Sequence, residues 1–197
     1  MKTTLEKLMN FNIILLLMFI PLTLHAQNYG KGLLFSEVYL NKENPQSNWL
    51  EVYNPTDQKL GIRVFRTSHV QTLNLLSPED ISSGELLIDP GNRLILCANN
   101  EEFTRQWGDE IRAFEIDELF VLFGGGFIVL LTGDMDDSGL DALRFGNASL
   151  SERAASFCED QVVSFSSSGK SWTRNIVKTQ YEVLTSGFTL TNPNPGR

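Results

Sequence analysis

The sequence predicts an all-β sandwich carrying one short helix, and three observations predict it. Apolar residues recur with period two in roughly seven or more short runs, separated by Asn, Asp, Pro and Gly clusters about every 8 to 12 residues. One run, Trp49-Leu50-Glu51-Val52-Tyr53, feeds directly into an Asn54-Pro55 turn signal. Alternation puts its Leu50 and Val52 on one face and Trp49, Glu51 and Tyr53 on the other, so one face is core and the other aromatic and partly polar. Only Glu101 to Gly108 has the spacing and punctuation of a helix.

The other elements follow in chain order. Strands are expected over Leu33 to Tyr39, Leu60 to Phe65, Val70 to Leu76 and, shorter, Glu85 to Ile88. Asp89-Pro90-Gly91-Asn92 is a cluster of turn formers. Arg93 to Ala98 is nearly continuous in apolar residues, as a central strand would be. The helix then has an Asn before it, acids in its first turn, Arg105 near its end and Gly108 as a stop, with Phe103 and Trp107 on one face. Leu119 to Leu131 is cut by Gly124-Gly125-Gly126 into two strands, the second being Phe127 to Thr132. Leu140 to Phe145, a remnant around Val162, Val163 and Phe165, and Ser171 to Asn175 complete the set. The tail from Thr189 to Arg197 loses apolar periodicity after Leu190 and reads as an extended strap or a frayed end.

Residues 1 to 26 read as a secretory signal peptide. Lys2 and Lys7 precede an apolar run from Phe11 to Leu24, broken by Pro21, and Leu24-His25-Ala26 suits cleavage before Gln27. The run is about 14 residues, short of the roughly 20 that a spanning helix needs. The mature chain, 27 to 197, is then one exported domain with no transmembrane segment, destined for the periplasm, an outer-membrane-associated surface or the medium. An apolar content of 42% with 20% charge suits a single domain with a real core. Losing Lys2, Lys7 and Glu6 takes the formal charge from −8 to about −9. That disfavours nucleic acid, whose phosphates are bound by basic side chains displacing counterions. Arg63 and Arg66, or Lys170, Arg174 and Lys178, read as solvated strand faces rather than a basic patch. Export permits a Cys97 to Cys158 disulfide, while the apolar run around Cys97 suits a free thiol buried as a small hydrophobe.

The order of several patches resembles a bacterial lamin-tail domain over roughly residues 31 to 196. The patches are Glu37 in the first strand, Trp49 to Pro55, Asp89 to Leu96, a helix with Phe103 and Trp107-Gly108, Gly124 to Asp137, Gly169-Lys170-Ser171-Trp172-Thr173-Arg174, and the closing Asn192-Pro193-Asn194-Pro195-Gly196. The resemblance implies an immunoglobulin-like β-sandwich over 27 to 197, used by exported members as an accessory or interaction module. Departures are Ser36 where the family usually has Asn, Asn48 where it has an acid, and Gly61-Ile62 in place of Gly-Trp.

No motif for chemistry stands out. His69 is the only histidine after cleavage, and no nucleophile elbow, phosphate loop or zinc-protease helix accompanies it. No residue is assigned to catalysis, to a cofactor or to a metal, and the expectation is a non-enzyme. Asp134-Met135-Asp136-Asp137-Ser138-Gly139-Leu140-Asp141 matches the first half of a calcium loop, but Phe145 stands where the bidentate acid belongs, and a hairpin turn is the simpler reading. Trp49 and Tyr53, extended by Phe65, suit either a sugar or partner platform or packing against the second sheet. The expectation is a non-catalytic binding module, an accessory subunit docking on another protein of the bacterial envelope through strand edges or loops. The alternatives are a free secreted binder of surface glycan or extracellular DNA and, behind that, an unrecognised hydrolase.

Overall fold

In the computed structural model the described residues are 32–62, 64–67, 84, 86–116, 127–132, 141–145, 162–164, 169–178 and 183–197. They form twelve strands and one α-helix, with a single 3-10 turn at Pro45–Ser47. A six-stranded sheet has the order β12-β11-β1-β2-β6-β7. Its members are β1 (Leu34–Tyr39), β2 (Trp49–Tyr53), β6 (Arg93–Cys97), β7 (Ala113–Glu115), β11 (Ser171–Lys178) and β12 (Val183–Thr191). A four-stranded sheet, β10-β9-β8-β4, joins β4 (Val64–Thr67), β8 (Phe127–Thr132), β9 (Asp141–Phe145) and β10 (Val162–Val163). A two-stranded ribbon pairs β3 (Leu60–Gly61) with β5 (Leu87–Ile88).

One core joins these sheets. Phe35, Val38, Leu50, Val52, Leu94 and Leu96 of the large sheet meet Leu143, Phe145 and Val163 of the four-stranded sheet, with Ile62 and Ile88 from the ribbon region. The two large sheets are also tied by a buried ion pair. Asp141 on β9 accepts a 2.8 Å bond from Arg174 Nη1 on β11 and a 2.7 Å bond from the backbone N–H of Phe35 on β1. The Arg174 guanidinium lies 4.6 Å over the Phe188 ring on β12. Arg174 is therefore in the interior, which corrects its reading as a solvated strand residue. An ion pair there favours only the arrangement that satisfies it, because a mispaired buried charge is costly.

The strand β2 carries the expected division of faces. Leu50 and Val52 enter the core, and Trp49 and Glu51 lie on the outer face, yet all four are buried. The helix α1 (Asn100–Trp107) covers the Trp49 end. Asn99 caps it by accepting the Glu102 N–H at 2.7 Å, and the Gly108 N–H closes it on Thr104. Its Phe103 and Trp107 meet Trp49 edge-on at 6.2 and 6.0 Å, while Tyr39 stacks on Trp49 at 5.7 Å. Neither the Trp49 nor the Trp107 indole N–H has an acceptor among the described residues, so ring packing holds this cluster. Trp49 is fully buried, so the platform reading of that residue is overturned, and it packs under the helix rather than against the second sheet.

Three features depart from the sequence expectation. The run from Leu60 to Phe65 is not one strand: Leu60–Gly61 pairs with β5, Ile62 turns into the core, and Val64–Thr67 belongs to the four-stranded sheet. Alternation reports in and out, and it is silent on which sheet receives a residue. β7 is unanticipated and runs parallel to β6, with α1 as the crossover between them. β12 is also unanticipated, and it extends the expected Ser171 to Asn175 patch into a long hairpin partner. Residues 1–31, the Val70 to Leu76 strand, the Leu119 to Phe123 piece, His69 and the Asp134 to Leu140 turn lie outside the described residues. Among the described residues no helix is long and apolar enough to cross a membrane.

Trp49→Ala should destabilise the protein by about 3 to 5 kcal/mol, the usual cost of truncating a buried large aromatic. Urea titration of wild type and variant checks this, and an unchanged midpoint would contradict the packing described.

Candidate binding site

The outer face of the six-stranded sheet carries an unusual row of polar groups. A register shift between Phe35 and Glu37 lets Phe35 and Val38 both enter the core while Ser36 and Glu37 stay outside. Glu37 then stands directly opposite Glu51 across the β1–β2 pair. The two carboxylates are 3% and 2% exposed, which for unpartnered acids would be strongly unfavourable.

The C-terminal strap, Asn192 to Arg197, supplies part of the partnership. The backbone N–H of Asn194 donates to Glu37 Oε1 at 3.0 Å, and that of Gly196 donates to Glu51 Oε2 at 2.6 Å. Pro193 and Pro195 have no N–H, so between Pro193 and Gly196 the only amide donors are the two that reach the carboxylates. Ser171 Oγ also donates to Glu37, and Ser36 Oγ donates to Glu51 Oε1 at 2.6 Å. Lys170 Nζ holds the start of the strap through Asn192 Oδ1 at 2.6 Å, and Pro195 is buried. Gly196 has φ +79°, and a Cβ built there would sit 3.2 Å from Ile111 Cγ2. The backbone favours glycine, and a side chain there would press on Ile111.

Arg93 completes the row. Its Nε donates to Glu51 Oε1 at 2.9 Å, and its guanidinium lies 4.6 Å over the Tyr53 ring. Burial pushes both carboxyls above their usual value. For Glu37 that effect outweighs the Ser171 hydroxyl, the Asn194 N–H and the Arg93 charge. For Glu51 it outweighs Ser36, the Gly196 N–H and Arg93, and the neighbouring Glu37 charge adds to the rise. Each carboxylate is engaged from several sides and covered by the strap.

Beside the strap the face opens into a cleft of about 350 Å³. Arg93 and Ile95 of β6, Ile88 of β5, Ile111 and Arg112 of the loop before β7, and Gly196 of the strap border it. Arg112 is fixed on its bank by a 2.7 Å bond from Nη1 to the Leu87 carbonyl.

The remaining candidates are dispersed. Tyr53 is half-buried under Arg93, and the Phe65 side chain lies outside the description. Asp141, the last acid of the calcium-loop segment, is turned to Arg174 and the Phe35 N–H, and the rest of that segment is outside the described residues. Cys97 is a free, buried thiol whose pKa burial raises to about 12, which makes it the small hydrophobe of the two readings. Its Sγ lies 3.6 Å from the Phe114 carbonyl, and Cys158 is outside the described residues. Among the described residues no three His, Cys, Asp or Glu side chains are grouped to hold a metal. The pairing of Glu37 with Glu51, and the placing of the strap over them, did not emerge from the sequence, which offered a strap only as one of two readings of the tail. The available signal was the alternation of proline in the tail, which spaces two N–H groups two residues apart.

Comparison with known proteins finds no matching family model, no matching curated protein and no matching solved structure.

The strap and the acids beneath it can each be tested. Gly196→Ala should cost about 1 to 2 kcal/mol, the penalty of a left-handed backbone for a residue with a side chain. It should also raise the hydrogen-exchange rates of the amides at positions 194 and 196 well beyond those of β2. Because the folded pKa of Glu51 is raised above about 4.5, its protonation favours the folded state. That contribution is complete below the unfolded value and is lost as pH rises through the folded one. The stability of wild type relative to Glu51→Gln should therefore fall as pH rises above about 4.5. Denaturant titrations at stepped pH measure it, and a pH-independent difference would refute it.

Proposed function

We propose that this chain is an exported, non-catalytic binding module: an immunoglobulin-like sandwich of lamin-tail type that docks on another protein of the bacterial envelope. The carrying observation is the closed and open division of one sheet face. The two acids that could have served acid–base chemistry are sealed under the chain's own tail and engaged by hydroxyls, amides and Arg93. Beside them stays an open cleft between anchored arginines, which suits holding a partner group better than transforming one. Two sheets sharing a single core support the sandwich reading. The charged and apolar leader supports export, and the acidic balance of the chain favours a protein partner over DNA.

Affinity capture of the tagged full chain from its native envelope, in parallel with an Arg112→Glu variant, tests the proposal. A stoichiometric envelope protein recovered with wild type and depleted with the variant is expected. Recovery of the chain alone in both preparations would overturn docking.

A further inference from the structure

The cleft beside the strap has a chemistry of its own. Arg93 is held from behind by Glu51 and from one side by the Tyr53 ring, and its side chain is 29% exposed. Its Nη1 and Nη2 make no hydrogen bond among the described residues. A guanidinium already fixed in this way presents two parallel donors at little further entropic cost, a geometry that matches a carboxylate. Arg112 lines the same cleft from an anchored position.

The lining is mostly polar, with acids on the rim and Ile111 as its apolar side chain that keeps exposed surface. Ile88 and Ile95 form its floor but are buried in the core, Ile111 keeps part of its surface, and Gly196 borders the cleft without a side chain to narrow it. Glu110 lines it too, and so does Asp89, whose charge is offset by Lys59 at 2.8 Å. Those carboxylates oppose a multiply charged phosphate and are acceptors for an N–H group of a ligand. The volume lies near the lower end of the roughly 300 to 1,000 Å³ usual for ligand pockets, enough for one residue rather than a long segment.

We infer that the cleft binds the C-terminal carboxylate of a peptide ending in an aliphatic residue, with the carboxylate on Arg93 and the side chain against Ile111. This names the ligand class of the binding module proposed above and rests on that reading. The peptide's last amide N–H faces the acidic rim. Arg112 adds long-range attraction for the carboxylate.

Amide NMR titration of the full chain with N-acetyl-L-leucine, N-acetyl-L-leucinamide and acetate tests it. The acid should give saturable shifts at residues 93–95, 110–112 and 196, and the amide and acetate should bind at least about tenfold more weakly, the loss expected on removing a charge-assisted bond or the apolar contact. Arg93→Lys keeps the charge beside Glu51 and loses the fork, and it should weaken the acid by a similar factor. Arg112→Gln, which leaves Glu51 paired, should weaken it less and provides a readout if the first variant folds poorly. No saturable shift with the acid, or equal shifts with its amide, would overturn the inference. Capture of an envelope partner despite that result would leave the docking reading standing; fragment binding with no partner captured would do the reverse.

Discussion

The structure depends on a strand that is buried on both faces. β2 lies between β1 and β6 in the six-stranded sheet, with Leu50 and Val52 in the core, so its outer residues would meet water unless something covered them. Each is covered by a different device. Trp49 lies under the helix, Glu51 under the strap, and Tyr53 under the Arg93 guanidinium. The helix is also the crossover that makes β7 run parallel to β6, so covering Trp49 and extending the sheet are one event in the chain path. Loss of any cover would expose part of the central strand.

Acids beneath the strap carry a penalty and an advantage. Burial disfavours their charged forms, and apolar residues of similar volume would remove that penalty. An apolar pair could not accept N–H groups from a tail that has few to give. The strap is positioned by two backbone donors spaced by prolines and by a glycine in a left-handed conformation close to Ile111. The fixed φ of Pro193 and Pro195 limits the conformational freedom that the tail loses on docking. Glu51 then fixes Arg93, and Arg93 borders the cleft. Tail, acid, arginine and cleft form one connected unit, so the shape of the opening depends on the tail being in place.

The ion pair between Asp141 and Arg174 plays a comparable part between layers. It joins a strand of the four-stranded sheet to two strands of the large sheet, and it leaves Asp141 turned inward at the end of a segment that the sequence presents as a row of acids. Charge in this protein is thus used inside as well as on its surface. A reading that places charged strand residues in solvent by default misses both Arg174 and the glutamate pair.

Much of the fold was legible because alternation and punctuation are local. The faces of Trp49 to Tyr53, the apolar run at Arg93 to Cys97, the capped helix and the strand from Phe127 to Thr132 all follow from residues within a few positions of one another. Glu37 was not legible in the same way: strict alternation from Phe35 would put it in the core and Val38 outside, and the register shift that reverses them depends on the partner strand. The tail could be read as a strap or as a loose end, because its amides become donors only when acids more than a hundred residues away are brought beside them. By itself the sequence determined which residues prefer strand, helix and turn, and which sides are apolar, since these are properties of neighbouring residues. Only the tertiary structure decided that two outer-face acids are buried, that the tail covers them and that a cleft stays open beside it, because each is a contact between distant segments whose burial and charge are set together.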